Sequence, residues 1–188
     1  MLSDVLKRIE QEDAENTVWI VGPETGRMLH WLVRVAQPQT IVEIGTSVGY
    51  SALWMASALE KNGEGSLWTI ESHEERFGRA QQNIEEAGLG HRIHQIKGHA
   101  PEVFLTPHAI PDQVDFAFLD ATKMEHASYF EALMPRLKPE AFVVVDNVLS
   151  HRFGHMEQFI QALHANAQLK VVEIPVGDGL LIARMEAL

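Results

Sequence analysis

The chain has 188 residues, 46% of them hydrophobic and 22% charged, with a formal net charge of −11. That size and mixture suit a single water-exposed domain with a real core, and the excess of acid argues against nucleic acid as a partner, because affinity for a polyanion rests on neutralising phosphates. There is no cysteine, which excludes disulfides, thiolate metal sites and a cysteine nucleophile.

The opening segment, "MLSDVLKRIEQEDAEN", carries an acidic, amphipathic helical pattern. It lacks the basic start and apolar stretch of a secretory leader. No apolar run approaches the ~20 residues that span a bilayer, so no membrane role is expected, and cytoplasm is the expected compartment. From residue 40 onward, β-branched runs and helical patterns alternate. Strands are expected at Thr40–Ile44, Ser66–Ile70, Arg92–Ile96, Val114–Leu119, Phe142–Val145, Lys170–Ile174 and Leu180–Ala183. Helices are expected at Tyr50–Lys61, Glu74–Ala87, weakly at Pro101–Leu105, then at Glu125–Leu137 and Gly154–Ala167. The last two strands are joined by "PVGDG", a hairpin signal. No repeat or long linker divides the chain, so residues 1–188 read as one domain. Its first twenty residues form a helical segment that could serve as a short lid or dimer contact.

Strands alternating with helices imply right-handed crossovers and a mostly parallel sheet covered on both faces. Ligands bind such sheets outside the carboxyl ends of the strands, so the residues just after each strand carry the functional question. After the first strand comes "EIGTSVGYSA", in which Gly45 and Gly49 permit a tight turn into a helix. The pattern is neither a dinucleotide fingerprint nor a phosphate loop, and an ordinary βα turn would also explain it. Glu71 ends the second strand, at the position where an acid can accept both hydroxyls of a ribose; capping of the next helix is the plainer alternative. Gly98 and Ala100 follow the third strand and leave room for a flat ring. Asp120 and Lys123 follow the fourth strand, and Asp146 and Asn147 follow the fifth. Two carboxylates and an amide at neighbouring strand ends suit a hard cation such as Mg²⁺. Taken singly, Asp146 and Asn147 would be read first as turn residues capping the following loop.

These stretches together resemble a known family. "TIVEIGTSVGYSALWMA", "TIES", "KGHAPEVF", "VDFAFLDATK", "LKPEAFVVVDNV" and "IPVGDGLLIAR" occur in the order seen in class I S-adenosylmethionine-dependent O-methyltransferases. The group most similar is the cation-dependent one that includes catechol and caffeoyl-CoA O-methyltransferases. The resemblance covers roughly residues 20–185. It implies a Rossmann-like α/β sandwich with a seven-stranded, mostly parallel sheet, an antiparallel C-terminal hairpin and helices on both faces. It implies that Glu43, Gly45, Tyr50 and Ser51 surround the methionine part of S-adenosyl-L-methionine, that Glu71 binds its ribose, and that Gly98 and Ala100 flank the adenine. It implies that Asp120, Asp146 and Asn147 hold Mg²⁺ or another divalent cation, with Asp120 also near the amino group of the cofactor. Lys123 would be the general base. A solvated lysine is a poor base at neutral pH, but a nearby dication and desolvation both disfavour its charged form. The implied acceptor is a small hydroxylated aromatic molecule, and the implied assembly is a homodimer.

The sequence departs from the family pattern in places. His73 and Glu74 stand where Asp or Asn and then Pro are common, His99 stands where related enzymes often carry Asp, and Glu140–Ala141 replaces a Gly pair. His151, Phe153 and His155 would line the acceptor pocket or simply form a polar loop. The four tryptophans, Trp19, Trp31, Trp54 and Trp68, read as core or interface residues. Three other functions fit the same residues: a metal-independent methyltransferase, a tRNA hydroxyuridine methyltransferase, and a non-catalytic cofactor-binding protein. The net charge of −11 weighs against the second.

Overall fold

The computed structural model describes residues 1–187. Its helices and strands run α1 (Leu2–Asn16), α2 (Pro23–Ala36), β1 (Thr40–Ile44), α3 (Tyr50–Asn62), β2 (Ser66–Glu71), α4 (Glu74–Ala87), β3 (Ile93–Lys97), α5 (Ala100–Leu105), β4 (Val114–Leu119), α6 (His126–Leu133), β5 (Leu137–Val145), α7 (Gly154–Ala165), β6 (Leu169–Ile174) and β7 (Leu180–Met185). The seven strands form one sheet in the order β3-β2-β1-β4-β5-β7-β6. The first five are parallel, while β7 runs antiparallel to both β5 and β6 and inserts between them. This is the expected sandwich, with an antiparallel hairpin at one edge.

Alternation along the strands divides the core into two layers. Ile41, Phe116, Phe118 and Val144 pack beneath the helices α1 to α4. Val42, Ile44, Ala117, Leu119, Val143 and Val145 pack against α5 to α7 on the other side. The N-terminal helix α1 belongs to the first layer through buried Val5, Leu6 and Ile9. It is pinned there by Arg8, which donates to Asn83 at 2.9 Å, and by the ion pair of Arg79 with Glu12.

Helix α2 is absent from the sequence expectations. Thr25, Leu29 and Val33 turn a well-defined face into the core, while Trp31 and Val35 on the outer side are 69% and 70% exposed. Two of the four tryptophans are therefore not core residues: Trp31 faces outward on α2, and Trp19 is also exposed. Trp54 and Trp68 pack partly buried against the two core layers, as expected. The helix expected to run to Leu137 ends at Leu133 and tightens into a 3₁₀ turn over Met134–Arg136. Pro135 in that turn cannot continue an α-helix. Strand β5 then starts five residues earlier than expected, with Glu140 at φ 68 kinking it. Among the described residues no helix is long and apolar enough to cross a membrane.

Candidate active site

The strand order reverses between the parallel neighbours β1 and β4, the switch point at which open α/β sheets bind ligands. A cavity of about 740 Å³ opens there, within the usual size range of small-molecule sites. Gly45, Glu71, Gly98, Ala100, Asp120, Lys123, Asp146 and Asn147 all line it. Eight residues named from sequence and spread over a hundred positions thus share one wall.

Gly45 shows why the loop after β1 needs glycine. Its φ is +106, and a Cβ there would drive into the backbone of Asp120. The close approach brings the β1 and β4 ends together. Glu71 holds the same loop from the other side: its two carboxylate oxygens accept the Ser47 and His73 backbone N–H groups, each at 2.8 Å. A carboxylate has about four acceptor positions, so capacity remains for hydroxyls from the cavity. Ser47 Oγ in turn donates to the Val18 carbonyl at 2.7 Å, which ties the segment between α1 and α2 to the cavity edge.

Glu43, Tyr50 and Ser51 are placed differently from what the resemblance implied: none of the three lines the cavity. Strand alternation turns Glu43 to the face of Ile41, toward α3, where it is fully buried. There it accepts hydrogen bonds from Ser51 Oγ and Thr69 Oγ1, each at 2.5 Å. Tyr50 is buried beneath α1 and donates its hydroxyl to Glu10. These residues support the loop from behind. Burial pushes the Glu43 carboxyl up to about 7, against the lowering effect of its two hydroxyl donors. The folded chain therefore keeps a proton that the unfolded chain gives up above about 4.5, and this group's contribution to stability falls as pH rises from about 4.5 to about 7. Replacing Glu43 with Gln should flatten that decline in thermal melts taken between pH 5 and pH 8. A wild-type and variant pair that melt in parallel across the range would show that Glu43 is charged throughout.

The ends of β4 and β5 bring the remaining groups together. Backbone bonds continue the ladder past both strands, from Asp120 N–H to Ile44 O and from Asp146 N–H to Leu119 O. Asp120 Oδ1 accepts a hydrogen bond from Lys123 Nζ at 2.6 Å. Asp146 is 3% exposed, and its Oδ1 is buried with no hydrogen-bond partner. Burial, and secondarily the Asp120 charge, pushes its carboxyl up to about 7. The Asp120 carboxyl is also raised by burial, with Lys123 opposing. Asn147 adopts a left-handed φ of 63 and donates Nδ2 to Asp178 Oδ2 at 3.3 Å. Among the described residues no three His, Asp or Glu side chains gather to hold a metal ion by themselves. The donor set is two carboxylates and one amide, and an unpartnered buried carboxylate oxygen beside a second carboxylate fits a hard dication.

The cavity also has walls that sequence reasoning missed. Asp178, read only as a turn residue, lines it because β7 inserts beside β5 and carries the hairpin tip to the end of β5. The Leu149 and Ser150 N–H groups both donate to the Asp178 carbonyl. Strand order was the missing signal, and a sequence does not print it. Trp19, Ile20, Val21 and Thr25 close another side. His151 lines the cavity and stacks on exposed Phe153, with ring centroids 6.0 Å apart, whereas His155 lies outside the lining. His99 also lines the cavity and bridges two loops, reaching Glu102 at 2.5 Å and Glu125 at 3.0 Å.

A sheet of this order with a cavity at its switch point, walled by an acid at the end of β2 and acids after β4 and β5, is the arrangement that the resemblance to S-adenosylmethionine-dependent methyltransferases implies. Comparison with known proteins narrows this. The sequence profile of the O-methyltransferase family matches residues 1–186, and the chain belongs to that family. It is 35% identical to a catechol O-methyltransferase of Niastella koreensis over 132 residues, which cover 69% of this chain and 58% of that protein. It is 28% identical to caffeoyl-CoA O-methyltransferase 2 of Zea mays over 86% of this chain and 68% of the maize protein. The crystal structure of the O-methyltransferase TomG from Streptomyces achromogenes, in complex with SAM, superposes with a TM-score of 0.83 at 27% identity, covering 98% of this chain and 90% of that one.

Proposed function

We propose that the protein transfers a methyl group from S-adenosylmethionine to a hydroxyl of a small catechol-like or phenolic acceptor, assisted by a divalent cation. The observation that carries this reading is the buried pair Asp120 and Asp146 at adjacent strand ends, with Asp146 Oδ1 unpartnered and Lys123 alongside. The names of the Niastella and maize relatives support the same acceptor chemistry.

In this reading Glu71 accepts the ribose hydroxyls while Gly98 and Ala100 leave space for the adenine. Asp120, Asp146 and Asn147 hold the cation, with Mg²⁺ the hard ion their oxygens suit. A dication there lowers the pKa of a bound hydroxyl and fixes its oxygen. Lys123 accepts the acceptor proton at Nζ as the neutral amine; the ammonium that pairs with Asp120 has no lone pair and first gives up a proton to solvent. The cavity walls exclude water and align the acceptor oxygen with the donor methyl, and such alignment can be worth ~7–11 kcal/mol. Cytoplasm stays the proposed compartment.

The test is a methylation screen of catechols, caffeoyl esters and monohydroxy phenols, each with and without chelator. Transfer to catechols that stops with chelator and returns with Mg²⁺ is the expected result. Transfer that survives chelation would replace this reading with a metal-independent methyltransferase. Cofactor binding without turnover on any acceptor would leave only a binding protein.

A further inference from the structure

Helix α6 begins on a buried histidine that the proposed reaction does not use. His126 is fully buried. Its ring meets those of Tyr129 on α6 and Phe159 on α7, each at a centroid distance of 5.8 Å. Burial, with the Lys123 charge adding to it, holds the imidazole down to about 4, so the ring is neutral. Its Nδ1 stands 3.1 Å from the Thr122 carbonyl. A carbonyl only accepts and a neutral imidazole carries one N–H, so that proton sits on Nδ1 and Nε2 keeps its lone pair. Among the described residues Nε2 is buried with no hydrogen-bond partner.

Stability does not account for this choice of residue. The Thr122 carbonyl already accepts the Glu125 N–H at 2.9 Å, so loss of the imidazole does not leave it unpaired. The unpartnered Nε2 carries a desolvation cost that a phenyl ring in the same space removes. A buried polar group kept against the interest of the fold points to function.

What the imidazole holds is the turn that presents Lys123. Thr122 immediately precedes the 3₁₀ turn Lys123–Glu125 and His126 immediately follows it, so the bond from Nδ1 to the Thr122 carbonyl closes the turn end to end. A second tie runs through Glu125, which accepts from the Tyr129 hydroxyl at 2.6 Å and meets His99 Nε2 at 3.0 Å. The Glu125 and His99 side chains are 36% and 42% exposed, where such pairs contribute little, so the tie inside the core is the firmer one. The lysine needs it most when it reacts. Asp120 holds its ammonium at 2.6 Å, but the neutral amine that accepts a proton has lost the charge on which that pairing rests. Its stem is then placed by the backbone turn.

We propose that His126 is a positioning residue for the base: by clamping the Thr122 carbonyl from within the core it keeps the Lys123 turn closed, and Nζ at the cavity wall, while the lysine is uncharged. The inference rests on the reading of Lys123 as the base. His126 does not line the cavity, so it acts only through the turn.

Three substitutions separate this role from packing. Asparagine can place an amide N–H where Nδ1 stands, glutamine places it where Nε2 stands, and phenylalanine supplies a ring with no donor. His126→Phe should melt at or above the wild-type temperature yet lose about tenfold to a hundredfold in kcat, with acceptor KM and S-adenosylmethionine affinity unchanged. His126→Gln should lose as much kcat. His126→Asn should melt below the wild type, because the smaller side chain leaves a cavity, yet recover most of the kcat. In the chain without ligands, hydrogen exchange at the Glu125 amide should quicken several-fold in the Phe and Gln variants and not in the Asn variant. Packing alone predicts the opposite order, with kcat following the melting temperature. That order, or wild-type kcat in His126→Phe beside a dead Lys123→Ala, would overturn this inference alone. Full turnover in Lys123→Ala would overturn the base assignment and this inference with it.

Discussion

Lys123→Ala is expected to abolish nearly all turnover, by roughly 10²–10⁴-fold, the range that a positioned general base contributes, while affinity for S-adenosylmethionine is unchanged. The lysine sits at the rim of the β4 end with its ammonium 2.6 Å from Asp120, so two roles compete: proton acceptor, and cation that balances a buried acid. Lys123→Arg separates them. A guanidinium keeps the pairing with Asp120 but cannot be deprotonated at any relevant pH. If the lysine is the base, the arginine variant is as dead as the alanine one. Turnover restored by arginine would show that charge balance is the essential role. Single-turnover assays, with cofactor affinity measured in parallel, read both quantities.

The second large effect belongs to Asp146 and Asn147. Replacing both with alanine should abolish Mg²⁺ binding in calorimetry and lower turnover by about 10³-fold or more, because a Lewis acid supplies several kcal/mol of charge stabilisation. Undiminished Mg²⁺ binding would place the ion elsewhere. Stability should move the opposite way in the single variant Asp146→Asn, which keeps the shape and removes the charge. The folded-state carboxyl is raised from 3.8 to about 7. The folded chain thus holds a proton the unfolded chain has lost, and stability from this group drops as pH rises across that interval. Without metal at pH 8, Asp146→Asn should therefore melt above the wild type, and added Mg²⁺ should raise the melting temperature of the wild type alone. Binding geometry here is bought with fold stability.

The sheet was largely legible because period-two runs bounded by glycine and charged residues are a local signal. The starts of β1, β2, β4 and β7 fall where the sequence placed them. The cavity wall was legible where it is built from strand ends, as at Gly45, Glu71, Asp120 and Asp146. It was illegible where position depends on which strands become neighbours. Asp178 reaches the cavity only because β7 inserts beside β5, and Trp19 only because Ser47 holds residue 18 against the loop. Family likeness set Glu43, Tyr50 and Ser51 around the cofactor; the structure places them behind the loop after β1 and outside the cavity lining, because strand alternation turns Glu43 toward α3. Helix α2 lies outside the strand–helix alternation that begins at residue 40, on which the sequence reading rests, although Leu29 and Val33 give it a clear buried face.

The Glu71 clamp has a consequence for how this chemistry can diversify. Its carboxylate joins backbone amides from two loops; in the proposed reading this ties the donor half together in advance, so less ordering entropy is lost on binding. The opposite half is bordered by residues 19–22, the stretch that begins at Asn147 and the hairpin tip at Gly177 and Asp178, all of them connections outside the regular sheet. In the proposed reading, substitutions there would reshape the acceptor repertoire while the methyl supply stays untouched, a division of labour by which one scaffold acquires new substrates without relearning its reaction.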